Sequence, residues 1–301
     1  MSKINKGPLQ VFFGSALWGT DAGFRTQLTK VFSSTSIVFF EHVFGAFFSL
    51  PLMLKRVKLF KKMNKLDWLS LFYLALGGGV IATFFITQSF RLAYQFGNVN
   101  VPVLMQKIQP FFAIIAAYVL LKEKIKPIFW LYAVIALVGG YILSFGFSLA
   151  EVSLTNNAFV IALYAVGAAF FWGTCTVVGK RLVDRLGFAF TTSIRLIAGF
   201  LMLLVFMLFT NFIESFSLLN TKFILFFIYI GLVTGFLSLL IYYIGMLKTK
   251  AHIATIAELG MPISAVFFNW VWLKETISFN HIIGAVLIIG AVVMMGFVDK
   301  R

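Results

Sequence analysis

The chain has 301 residues, of which 61% are AVILMFWYC and only 12% are charged. A soluble globular chain carries about 25% charged residues, so this one cannot coat one or two water-exposed domains and reads as a polytopic membrane protein. The net charge of +15 is no nucleic-acid footprint, because the basic residues fall in short loops between apolar runs. The single cysteine, Cys175, excludes an internal disulfide and any Cys-x-x-Cys metal site.

A spanning helix needs about 20 mostly apolar residues. In chain order, the apolar runs predict spans at 8–28, 35–54, 68–93, 98–121, 127–147, 157–180, 188–210, 222–247, 250–273 and 279–298. Runs such as 129–147 and 282–298 are apolar on every face, which fits helices and not the alternating strands of a membrane barrel. The tight breaks at 93–98 and 248–250 read as hairpins. With the N-terminus inside, the inner segments hold 18 Lys and Arg against three (Lys30, Lys222, Lys274) outside. That bias predicts both termini on the cytoplasmic side and an even number of spans.

The chain also repeats itself. Trp18-Gly19-Thr20 returns as Trp172-Gly173-Thr174, 154 residues on, with Glu41 aligned to Arg195 at the same offset. Pro110 returns as Pro262 and Leu121-Lys122-Glu123 as Leu273-Lys274-Glu275, 152 residues on. The predicted fold is therefore all-α: ten transmembrane helices as two inverted five-helix repeats, residues 1–150 and 151–301. Five spans per repeat is odd, so the second copy enters the membrane upside down, as in many secondary transporters whose site lies between the repeats.

On the paired Trp-Gly-Thr segments, the paired Pro-x10-Leu-Lys-Glu endings, Ala82-Thr83-Phe84-Phe85-Ile86-Thr87-Gln88 and Tyr242-Tyr243-Ile244-Gly245, the chain resembles the drug/metabolite transporter superfamily in its EamA-type ten-helix branch. The resemblance implies an N-in, C-in monomer or homodimer with a central cavity opened alternately to each side. Gln88, in the family-like stretch, joins the substrate-site candidates on that ground.

Ionisable side chains within spans are costly, so each is a functional candidate. Lys107 lies near the bilayer centre, flanked by Gln106 and Gln109. Pro110 and its mate Pro262 break the helix and free carbonyls that can line a polar cavity. Glu258 aligns with Gln106, which predicts that Lys107 and Glu258 face one another, either as a static ion pair or as two ends of a substrate site. Asp21 and Arg25 stand four apart on one face, beside the ring of Trp18. Glu41 could pair with Arg25, and Glu41, His42 and Glu258 are the candidates for proton coupling. Arg195 suits anion attraction or an ion pair. Glu123 and Glu275 read as structural helix ends, and His252 and His281 as solvated. Gly77-Gly78-Gly79 reads as a site of close helix approach.

These residues predict a secondary transporter moving a small polar or zwitterionic, amino-acid-like metabolite across the cytoplasmic membrane by alternating access. The partners are a small-molecule substrate and the lipid bilayer, with a proton as the coupling candidate; no cofactor, metal, nucleic acid or ATP is called for. The alternatives are a multidrug or lipophilic-cation exporter, and, from another class, a passive channel. An embedded enzyme lacks any recognisable catalytic set.

Overall fold

The computed structural model describes residues 5–150, 156–209, 216–274 and 276–298, so the join between the halves and Glu275 lie outside the described residues. All regular structure among them is helical: α1 (7–29), α2 (Ser34–Leu54), α3 (Lys65–Phe96), α4 (Asn100–Leu120), α5 (Pro127–Phe145), α6 (Asn156–Leu186), α7 (Phe188–Leu208), α8 (Thr221–Met246), α9 (Ala251–Trp272) and α10 (Phe279–Val298). Among the described residues, nine of these are long and apolar enough to cross a membrane. The exception is α1, in which a 3-10 turn at Gly19–Asp21 separates Gly7–Trp18 from Ala22–Thr29.

The irregularities recur in pairs. α4 breaks at Lys107 and Ile108, and α9 at Glu258 and Leu259. Pro110 and Pro262 account for both, since each lacks an N–H and crowds the preceding turn. A π-helical stretch interrupts α3 at Leu74–Ile81 and α8 at Ile230–Leu237. Nothing in the periodicity announced these, although Gly77, Gly78 and Gly79 sit in one and Gly231 and Gly235 in the other. Lys122 and Lys274, the middle residues of the two Leu-Lys-Glu endings, both take positive φ, at 52° and 59°.

Packing follows the same symmetry. α1 packs chiefly on α8 and α9, α6 on α3 and α4, α2 on α7, and α5 on α10. Exchanging the halves maps each contact onto another or onto itself. The glycines of the Trp-Gly-Thr segments explain two of these contacts: a Cβ at Gly19 would collide with the backbone of α9 at Met261 and Ala265. One at Gly173 would meet α4 at Gln109 and Ala113. Gly139 and Gly284 let α5 and α10 approach in the same way.

The first and last described residues share one end of the bundle. The Asn5 side chain donates to the carbonyl of Lys248 at 2.6 Å and its backbone N–H to Gly296 at 3.1 Å. Lys126 Nζ reaches the carbonyl of Val298 at 3.0 Å. Here α6 runs past the predicted end at 180, because Arg181 and Arg185 have a partner: both pair with Asp67, fully buried at the start of α3, at 3.0 and 2.9 Å.

Gly173→Val should therefore cost about 1–3 kcal/mol through overpacking, read as a lower melting temperature of the detergent-purified protein. Gly290→Ala, where a Cβ meets nothing within 4 Å, should leave the melting temperature unchanged.

Candidate functional site

One polar cluster gathers α1, α2 and α8. Arg25 Nη2 donates to Asp21 at 2.8 Å and to Glu41 at 3.0 Å, and its Nε to Asp21 at 3.2 Å. Thr234, from the π-helical stretch of α8, adds a long hydrogen bond to Asp21 at 3.4 Å. The two pairings expected of Arg25 thus coexist, and one guanidinium serves two carboxylates. Its planar fork suits that task better than an ammonium would. Asp21 itself is buried.

Two neighbouring candidates have structural partners. His42 is buried with Nδ1 2.9 Å from the carbonyl of Val38, and its Nε2 edge lies against Gly79 and Gly199. Gln88 accepts a 3.0 Å hydrogen bond from Ser34, tying α3 to the start of α2.

The second cluster lies at the two helix breaks. Glu258 accepts from Tyr242 at 2.6 Å, from Thr176 at 3.0 Å and from the side-chain amide of Gln109. Trp18 packs on Tyr242 with ring centroids 5.2 Å apart. Next along α8, Tyr243 accepts from Arg195 at 3.0 Å. Trp172 donates to the carbonyl of Gly78 at 3.1 Å, which uses an oxygen in the π-helical stretch of α3.

The static ion pair of Lys107 with Glu258, one of the two alternatives open from the sequence, does not form. Three neutral donors already occupy the Glu258 carboxylate, and Lys107 Nζ lies instead beside Gly140 of α5. Among the described residues, the Lys107 ammonium has no hydrogen bond or ion pair, and neither has the side-chain amide of Gln106 beside it. Two adjacent donor-bearing side chains are therefore left open at the break of α4.

At the end of the bundle bearing Asn5 and Val298, Glu123 joins α4 to α9. Its carboxylate accepts from the backbone N–H groups of Ala251 at 2.8 Å and His252 at 3.2 Å, and meets His252 Nδ1 at 2.5 Å. His252 was expected in solvent and is instead buried, edge-on to Phe129 at 4.7 Å. Burial pushes the Glu123 carboxyl up, but the His252 ring and the capped N–H groups outweigh it and hold the group below its ordinary range. The structural reading of Glu123 gains a specific meaning here: it caps the first turn of a neighbouring helix.

Comparison with known proteins decides the family. The profile of the EamA-like transporter family matches residues 5–145 and again residues 159–297. The chain belongs to the EamA-like transporter family. It is a multi-pass membrane protein and a transporter, not an enzyme. It is 34% identical over 295 residues to the riboflavin transporter ImpX of Fusobacterium nucleatum, covering 96% of both chains. It is 28% identical to an uncharacterized transporter of Clostridium kluyveri, over 83% of this chain and 79% of that one. A solved crystal structure superposes with a TM-score of 0.74 over 99% of both chains at 17% identity, a likeness of fold alone.

Sequence reasoning missed Thr176 altogether, and took Tyr242 and Tyr243 only as part of a family-like stretch. The signal for Thr176 was its place four residues after Trp172, on the same helix face.

Glu123→Gln should destabilise the EamA-like protein by about 1–3 kcal/mol at neutral pH, since one capped N–H loses its acceptor. The stability that the lowered Glu123 supplies is present above the ordinary glutamate range and is lost as pH falls through its own lower value. Thermal melts should show the wild type losing stability below about pH 4, with a smaller loss in the variant.

Proposed function

We propose that the chain is a secondary carrier working by alternating access, with ten spans, both termini cytoplasmic, and two inverted halves at 1–150 and 151–301. The shared location of the first and last described residues supports an even number of crossings, which makes α1 the tenth span beside the nine long helices. The paired breaks in α4 and α9 and the paired π-helical stretches in α3 and α8 support the halves as the moving units, because irregular backbone in a membrane is tolerated where it is buried or lines a cavity.

For the substrate, we infer a small polar metabolite carrying a flat ring, with riboflavin the first compound to try. The observation that carries this is the 34% identity to a riboflavin transporter along nearly the whole of both chains. The site chemistry agrees. Arg25 is held between Asp21 and Glu41, so that cluster offers no free guanidinium to the carboxylate of a zwitterionic ligand. The rings of Trp18 and Tyr242 and the open donors Lys107 and Gln106 are groups that suit a neutral heteroaromatic with carbonyl acceptors.

Of the coupling candidates, Glu41 is paired with Arg25, and His42 holds a backbone carbonyl. Glu258 remains: a carboxylate amid neutral donors, with no cation within ion-pair distance among the described residues. We assign proton coupling to Glu258.

The test is uptake of labelled riboflavin into proteoliposomes. The expected result is saturable uptake that excess amino acids leave unchanged, faster when the N-terminal face is the more alkaline. Glu258→Gln should abolish the response to the gradient. Competition by amino acids in place of flavins would return the zwitterionic reading, and flux that never saturates would indicate a channel.

A further inference from the structure

The turn between α2 and α3 concentrates positive charge: Lys55, Arg56, Lys58, Lys61, Lys62 and Lys65 fall within eleven residues. A 3-10 turn at Val57–Lys62 orders it. Such a helix repeats every three residues, so side chains at i and i+3 stand one above the other, about 6 Å apart. Val57 and Phe60 therefore form one row, and Lys58 and Lys61 the next. The apolar row seats the turn on the bundle, with Phe60 edge-on to Phe190 of α7 at 5.1 Å and stacked on Trp68 of α3 at 5.9 Å between ring centroids. The basic row faces outward: Lys58 and Lys61 are exposed, as are Lys55, Lys62 and Lys65.

No carboxylate answers these charges. Asp67, the nearest in sequence, is fully buried and is held by the Asn64 backbone N–H at 3.0 Å and by Arg181 and Arg185. At the same end of the bundle Asp184 pairs with Lys180, and Glu123 with His252. Among the described residues none of the five lysines has an ion pair. Like charges this close lie within a Debye length of about 10 Å and repel one another. Duplication does not require them, since the equivalent turn of the second copy, 209–220, contains no Lys or Arg. Next to the lysines in sequence, Leu54 ends α2 and Leu66 and Leu69 open α3, and these are 57%, 54% and 62% exposed. A free anion would answer the charge and leave this apolar surface bare, whereas a phospholipid answers both.

We propose that the α2–α3 turn is a docking site for an anionic phospholipid. Lys58 and Lys61 hold the phosphate, Lys55, Lys62 and Lys65 surround the headgroup, and the acyl chains lie along Leu66 and Leu69.

The experiment is thermal melting of the full chain, purified in a neutral detergent, with added phosphatidylglycerol, phosphatidylcholine or inorganic phosphate. Phosphatidylglycerol is expected to raise Tm above its value in phosphatidylcholine, because a ligand bound only by the folded state stabilises it. Inorganic phosphate is expected to leave Tm in place. Lys58→Gln, Lys61→Gln and Lys62→Gln together should abolish the shift while keeping Tm in phosphatidylcholine, since all three side chains are exposed. Lys61→Gln alone should raise the phosphatidylglycerol concentration that gives half the shift about fivefold. Should the triple variant fail to fold, this single variant carries the test. Lys124→Gln, Lys248→Gln and Lys250→Gln together remove the same charge elsewhere and should keep the shift. An equal loss in both triple variants would reveal a diffuse attraction and overturn the site. A shift reproduced by inorganic phosphate would overturn the lipid as occupant, and a wild type indifferent to phosphatidylglycerol would overturn the proposal outright.

Discussion

A charge in the hydrocarbon core must find a partner, and the interior of this bundle is arranged around that requirement. Arg25 holds Asp21 and Glu41 together, drawing α1 against α2, while Thr234 brings α8 to the same carboxylate. Glu258 draws hydroxyls from α6 and α8 and an amide from α4 onto the break of α9. Arg195 of α7 reaches Tyr243 of α8. Each contact joins helices whose apolar faces alone would not specify register, since lipid tails are as apolar as the side chains they would exchange for. Against this background an ammonium without a partner, Lys107, stands out as the group the fold leaves for something else.

Duplication supplies the second constraint. Glycines set the closest approaches, so Gly19 against α9 has its counterpart in Gly173 against α4. Prolines set the breaks, so the polar residues at 107 and 258 fall in equivalent gaps. Chemistry then departs from symmetry: one gap holds a lysine with open coordination and the other a carboxylate with three donors. Two similar halves with dissimilar contents are suited to a carrier, because the frame can rock symmetrically while the substrate meets different groups from either side.

Much of this was legible in the amino-acid sequence, and the limits have a physical origin. Hydropathy sets where helices lie, and the distribution of Lys and Arg among the loops agrees with the first and last described residues lying together. Recurrent Trp-Gly-Thr and Leu-Lys-Glu segments exposed the duplication before any coordinates. Position along a helix is readable from the sequence, and Asp21, Arg25, Glu41, Lys107, Arg195 and Glu258 were chosen on it. Azimuth was harder: one residue turns a helical side chain by about 100°, and a break turns it further. Lys107 and Glu258 sit at such breaks, so the sequence could not decide between a static pair and two separate groups. The π-helical stretches shift the register again and have no composition of their own beyond a few glycines. His252 looked solvated because it is close to a loop in sequence, while the loop folds a capping glutamate onto it.

Lys107→Met offers the most direct test of the view that this ammonium is held for the substrate and not for the fold. Methionine keeps the length and removes the charge. The melting temperature of the purified variant should equal or exceed that of the wild type, because no protein partner is lost and a buried charge is removed, while substrate uptake should fall to background. A variant that melts far lower yet still transports at the wild-type rate would show that Lys107 supports the structure, and would contradict the assignment.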